Sequence, residues 1–227
     1  MAAHNPARDG RATDTRERIL QVAEQLYYAG GYEHINLQVI ADQIGVSKTA
    51  LFHHFKNKQE LFYATLLHML ARYHAIFAEA LTRDGQSVRE RLRSIMQGLT
   101  RLGPFDMMRF SREEYGLLSP EQQAEVERVW RASLFDVVHR LLADGVRLGE
   151  LRHVDVRLAT FVFMHLCMLL PRVDASLPQR NLTSSEQETM PGSADLVSGR
   201  STDRSTDSVI DALLNLYLSG VGRTPAD

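Results

Sequence analysis

Ser47, Lys48, Thr49, His53 and His54 carry hydrogen-bonding groups within an otherwise apolar segment. At the front of a helix, such side chains can reach donors and acceptors on base edges in a DNA major groove. From Val46 to Gln59 there are three lysines and no acid, which supplies local positive charge for phosphate contacts. The chain as a whole gives no such signal, with a formal net charge of -2. A site-specific binder needs only a local patch, so this balance weakens a nucleic-acid reading without removing it. The competing reading is the solvated face of an ordinary helical pair.

Other chemistry finds less support. The chain has no G-x-S-x-G, H-E-x-x-H or phosphate-cradling glycine loop. His53 and His54 are adjacent, so on a helix they point about 100° apart and do not readily chelate one metal ion. The single cysteine, Cys167, allows neither an internal disulfide nor a cysteine-rich zinc site. Its apolar surroundings suggest a buried structural thiol. No cofactor or metal is expected.

The polar positions need a frame, and Leu37 to Lys58 has the spacing of a helix-turn-helix. That motif requires a small residue where two short helices touch (Ala41) and a residue tolerant of positive φ four positions on (Gly45). Ile40, Ile44, Val46 and Leu51 would lock the pair. Asn36 and Ser47 are suited to cap the two helices. Upstream, Ile19, Val22, Ala23 and Leu26 share one face of a first helix opening near Asp14 and stopped by Gly30-Gly31. Residues 1–13 read as a flexible arm bearing Arg8 and Arg11. With Arg16 and Arg18, these are candidates to lie along the DNA backbone or minor groove. For Arg8 and Arg11 a solubilising tail is an equal alternative.

Downstream, helices are predicted from about Gln59 to Thr82, from a Ser87–Glu90 capping box to Leu102, over Asp106–Tyr115, from Ser119-Pro120 to Leu148, from Asp155 to Leu170, and from Val209 to Leu218. Residues 174–208 are rich in Ser, Thr and Asp and read as a flexible loop. No strand alternation competes. The hydrophobic fraction of 44% suffices for a sizeable core. Met1 to Gly10 lacks the apolar core of a secretory leader. Val156 to Leu170 is broken by Arg157 and His165 and falls short of the ~20 residues that span a bilayer. A cytoplasmic protein with no membrane partner is expected.

Thr15 to Leu61 resembles the DNA-binding domain of tetracycline-repressor-like (TetR family) regulators. The resemblance rests on Ala23, Leu26, Tyr27, Gly31 and Tyr32, then Ile40-Ala41, Gly45-Val46-Ser47, Leu51-Phe52, Phe55, Asn57-Lys58 and Leu61. It implies base reading by Lys48 and Thr49, with Gln38 reaching from the preceding helix. His53 and His54 then touch phosphate or base edges, and Lys58 grips a phosphate. Asn36, Ser47, Phe52 and Lys56 complete the candidate DNA-binding set. Two positions depart from the family pattern. Leu37 stands where many members carry a hydroxyl, and Phe52 replaces the usual tyrosine, so fewer phosphate contacts are expected.

The resemblance also implies a cavity for a small, largely apolar effector. Candidate lining residues are Tyr73, Phe77, Met96, Leu99 and Phe105, followed by Met108, Tyr115, Trp130, Phe135 and His139; ordinary core is the alternative for each. Met107 and Phe110 are further bulky candidates, and Arg109, Glu113 and Glu114 are candidates to orient a ligand, with a solvent-facing position the equal alternative. The Val156–Leu170 helix is apolar on nearly every side and must be covered twice. Phe161, Met164, His165 and Met168, with Leu213, Leu216 and Tyr217 of the last helix, would form a four-helix interface in a homodimer. A monomer with a buried central helix is the rival.

The expectation is an all-α protein: a flexible arm (1–13), a three-helix helix-turn-helix domain (14–58) and a larger helical effector-binding and dimerisation domain (59–223). Its function would be that of a ligand-responsive repressor on palindromic operator DNA. An activator of the same family, a non-specific DNA protein and an all-α enzyme are the alternatives.

Overall fold

The computed structural model describes residues 6–83, 85–103, 105–176 and 201–221, with side chains over 14–83, 85–103, 105–170 and 206–220. It is all-α. Helix α1 runs Pro6–Gly30, α2 Leu37–Ile44, α3 Lys48–His54 and α4 Lys58–Thr82. Helix α5 (Val88–Thr100) leads to a short α6 (Met107–Arg109), which continues as a π turn, Phe110–Glu114, and a 3-10 turn, Tyr115–Leu117. Helices α7 (Pro120–Trp130) and α8 (Asp136–Arg147) are joined by a second π turn, Arg131–Phe135; α9 (Val156–Ser176) and α10 (Ser201–Val221) follow. Among the described residues no helix is long and apolar enough to cross a membrane.

Local side-chain chemistry sets many of these boundaries. Asn36 accepts the Gln38 and Val39 amides, Ser47 the Ala50 amide and Asn57 the Glu60 amide. Ser87 with Glu90, and Ser119 with Gln122, close reciprocal capping boxes. Gly45 ends α2 at φ 74°, the left-handed conformation the turn requires.

Three boundaries differ from expectation. Helix α1 begins at Pro6, so Asp14 lies inside it and residues 6–13 are helical rather than an irregular arm. Proline is well placed in a first turn, where its missing N–H has no helical partner to lose. Helix α9 runs on past Pro171 to Ser176, because a proline removes one backbone bond without ending every helix. Helix α10 starts at Ser201, so the expected loop 174–208 is helical at both ends. Residues 1–5 and 177–200 lie outside the described residues.

The first four helices share a core of Ile19, Ala23, Tyr27, Ile40, Leu51 and Phe62, each fully buried. The same core continues through Leu92, Ile95, Val138, Leu142 and Phe163, where it joins α5, α8 and α9. Helix α10 is tied to α5 by Arg93, which donates to Asp211 at 2.9 and 3.2 Å, and by Gln97, which donates to Asp207 at 2.7 Å. The Tyr217 hydroxyl donates to the Ala159 carbonyl at 3.0 Å, joining α10 to α9.

Candidate nucleic-acid interface and cavity

Helices α2 and α3 pack through Ile40, Ala41, Ile44 and Leu51, all buried. The Val46 amide bonds the Ala41 carbonyl at 3.0 Å across the Gly45 turn. This closure leaves Ser47, Lys48, Thr49, Phe52 and His53 exposed on α3. Gln38 is exposed on α2 and donates to Asp42 at 2.8 Å. Asn36 and Ser47 spend a side-chain oxygen on capping, and Lys56 is exposed in the link to α4.

Other expected DNA contacts are engaged inside the protein. Lys58 Nζ lies 4.3 Å from the centre of the Tyr32 ring and donates to the Glu33 carbonyl at 3.3 Å. His54 turns partly inward, into a groove shared with Arg16, Tyr63 and Ser119. Arg18 donates to the Ile44 carbonyl at 3.0 Å, fastening the end of α2, and the Arg16 guanidinium sits over the Phe55 ring. Arg16 and Arg18 therefore brace the reading unit instead of forming an arm. The side chains of Arg8 and Arg11 lie outside the described residues.

Behind this unit is a cavity of about 580 Å³. Helix α4 supplies Leu66, Met69, Leu70, Tyr73 and Phe77. The α5–α7 region contributes Leu99, Phe105, Met107, Phe110, Tyr115 and Trp130, and α9 contributes Met164, Cys167 and Met168. Both π turns border it, through Phe110 and Leu134. The wall is largely apolar. Burial pushes the Tyr73 hydroxyl up to about 12, so it remains a donor, and it sits 3.1 Å from the Tyr28 hydroxyl of α1. Burial also raises the Cys167 thiol far above its usual range, which keeps it un-ionised.

Residues 19–65 match the family model for bacterial regulatory proteins of the tetR family, and residues 85–172 match that for a tetracyclin repressor-like C-terminal domain. The chain belongs to the TetR family. It is a helix-turn-helix transcriptional regulator. Two relatives illustrate the range of TetR-family behaviour. The HTH-type transcriptional activator FasR of Mycolicibacterium smegmatis is 28% identical over 137 residues, covering 56% of this chain and 60% of that protein. The HTH-type transcriptional repressor AcnR of Corynebacterium glutamicum is 28% identical over 150 residues, covering 64% of this chain and 69% of that one. The match thus spans three-fifths to two-thirds of these relatives' lengths. The crystal structure of FadR from Bacillus subtilis in complex with stearoyl-CoA shares the fold, with a TM-score of 0.62 at 16% identity, over 90% of this chain and 98% of that chain.

Within this TetR-family frame, six expected cavity residues line the space: Tyr73, Phe77, Leu99, Phe105, Tyr115 and Trp130. Four do not. Met96 is fully buried in the core, Met108 is 55% exposed, and Phe135 packs between Trp130, His139 and Phe161. His139 stacks on Phe135 outside the cavity. Met164 and Met168, expected at a dimer interface, point into the cavity instead. They are four residues apart and so share a helix face. Tyr217 is likewise buried, against Phe163. The outward faces hold Leu158, Phe161, Val162, His165 and Leu169 of α9 and Leu216 of α10, and Leu213 is half-buried.

Glu114 has a role that sequence reasoning missed. It is 3% exposed, and its carboxylate accepts the Tyr27 hydroxyl at 2.6 Å, the Tyr32 amide at 2.9 Å and Arg109 Nε at 3.1 Å. Gly31, at φ 77°, lets the chain pass there, since a side chain at 31 would run into Glu114 and Arg109. The end of α1 is thus bonded to a segment whose neighbours Phe110 and Tyr115 line the cavity. Glu24 makes a second tie. It is 1% exposed on α1 and meets Arg72 at 2.5 Å and His68 at 3.2 Å on α4.

Proposed function

We propose that this protein is a ligand-responsive transcriptional repressor that acts as a cytoplasmic homodimer on palindromic operator DNA. The carrying observation is the continuity of α4. Its first residue, Lys58, follows the reading unit, and Leu66 to Phe77 of the same helix form a cavity wall. A molecule entering the cavity displaces that wall and, through α4 and the Glu24 and Glu114 bonds to α1, the orientation of α3. The spacing of two α3 helices on successive major grooves then departs from the ~34 Å of one DNA turn, and affinity falls. By linkage, DNA weakens effector binding by the same factor.

The exposed apolar residues of α9 and α10 support the homodimer. Two copies would cover this surface and supply the two-fold symmetry of a palindrome. Lys48 and Thr49 are the proposed base readers, with Gln38 beside them; His53 and Lys56 flank the backbone, and His54 and Lys58 join them only by leaving their contacts within the protein. Exposed Phe52 suits apolar contact with a thymine methyl. The largely apolar cavity wall supports an apolar effector. No catalytic role is assigned.

Mobility shift on the DNA upstream of the protein's own gene, with random DNA as competitor and salt varied, tests the reading. Specific binding that survives competitor, with a palindromic footprint, is expected, together with reduced transcription in vitro. Equal affinity for random DNA would sink the operator reading, and raised transcription would make the protein an activator.

A further inference from the structure

The cavity's shape and charge narrow its ligand further, on the reading that it is an effector site. Much of the lining is apolar, including Leu66, Met69, Leu70, Phe77, Met164 and Met168. The described lining includes one ionisable carboxylate, Glu127, on α7. Trp130 stands one turn along the same helix and also lines the space. The Tyr115 hydroxyl donates to Glu127 Oε1, which brings a second aromatic ring beside the carboxylate, and Phe110 meets that ring edge-on at 5.8 Å.

Among the described residues no lysine, arginine or histidine lines the cavity. The nearest arginines in sequence are otherwise engaged: Arg128 pairs with Glu125 at 3.6 Å, and Arg131 lies over the Phe135 ring. A ligand carboxylate or phosphate beside Glu127 would meet it without a compensating cation from the described lining. An ammonium there would meet a carboxylate with two aromatic residues, Tyr115 and Trp130, in the same lining, and aromatic rings attract cations.

We propose that the cavity takes a monocationic amphiphile, its apolar tail among the methionines and leucines and its amine or ammonium head beside Glu127, Trp130 and Tyr115. Trp130 is the chain's single tryptophan, so its emission reports directly on occupancy of the cavity.

Octylamine, octan-1-ol, octanoate and octanoyl-CoA are titrated into the full-length protein at neutral pH, read by Trp130 emission and calorimetry. Octylamine is expected to bind roughly tenfold more tightly than octanoate, with octanol between them. Glu127 is exposed, so Glu127→Gln leaves the fold in place. It should reduce the advantage of the amine over the alcohol to within about twofold and leave octanol binding unchanged. Tighter binding of octanoate or octanoyl-CoA than of octylamine overturns the proposal while leaving the effector cavity standing. So does an amine advantage that survives in Glu127→Gln. Failure of all four probes to bind overturns the effector-cavity reading and this proposal with it.

Discussion

The Tyr27 hydroxyl donates a 2.6 Å hydrogen bond to Glu114, joining the last turn of α1 to a carboxylate 87 residues further along the chain. Arg109 neutralises the same carboxylate, and its guanidinium also lies 5.5 Å from the centre of the Tyr27 ring. Removing one member of such a group leaves the others buried and unpaired. Glu114→Ala is therefore expected to cost about 3 kcal/mol in urea unfolding. Glu114→Gln, which keeps an acceptor but not the charge, is expected to cost about half as much. In both variants the ratio of DNA affinities without and with a cavity ligand should shrink. An unchanged ratio would remove Glu114 from the coupling.

The exposed face of α3 separates two kinds of contact. Lys48→Ala and Thr49→Ala should each cost about 1–3 kcal/mol on the operator and little on random DNA. Lys56→Ala should weaken both DNAs alike and reduce the salt dependence of binding by about one counterion. Phe52→Tyr adds a hydroxyl where the family usually has one, and should tighten binding severalfold without changing sequence preference. Mobility shifts across a salt series resolve the three patterns.

Glu24 makes stability depend on acid. Burial pushes its carboxyl upward, but the His68 ring 3.2 Å away, a hydrogen bond from Arg72 and the charge of Arg72 outweigh that, holding it below its usual 4.5. A depressed carboxyl contributes its full stabilisation above the unfolded value, and the contribution is lost as pH falls through the folded value. Glu24→Gln should thus be less stable than the parent by about 2 kcal/mol at pH 7. The gap should close progressively below pH 4.5. Thermal melts of both proteins between pH 7 and pH 3 test this, and a gap that widens in acid would contradict it.

Leu216 is 71% exposed and Leu169 44% exposed, both on the outward apolar faces of α9 and α10. Leu216→Glu and Leu169→Glu should shift sedimentation from dimer to monomer while retaining helical circular dichroism. Operator affinity should fall by orders of magnitude, because one half-site no longer recruits the second. Unchanged sedimentation in both variants would place any interface elsewhere.

The helix-turn-helix was legible because its signals are local. Asn36 and Ser47 act on amides two or three residues away, and Gly45 acts through its own φ. Much of the cavity was legible for a related reason, since Tyr73 and Phe77 are four residues apart and must share a face. The two faces of α9 were not. Met164 and Leu169 lie in one apolar run whose periodicity cannot say which side meets the core and which the outside. Glu114 was hidden more completely. An acidic residue near Arg112 and Glu113 reads as a ligand-orienting group or a surface one until the fold brings Tyr27 and Tyr32 to it, and only Gly31 marks the crowding from the other side.

The π turn at Arg131–Phe135 separates α7 from α8 within one continuous helical stretch. A π turn accommodates one residue more than a regular α-helical turn. Deleting a single residue there would therefore turn it into ordinary α-helix and leave the phase of α8 nearly unchanged, whereas the same deletion inside α8 would rotate everything after it by about 100°. With the deletion in the turn, Val138 and Leu142 would keep their places in the core, and the change would fall on the turn itself, between Trp130 and Leu134, which both line the cavity. This turn is thus a place where the chain can gain or lose a residue while α8 stays in register, so that a change in length reshapes the chamber wall locally and spares the core behind it.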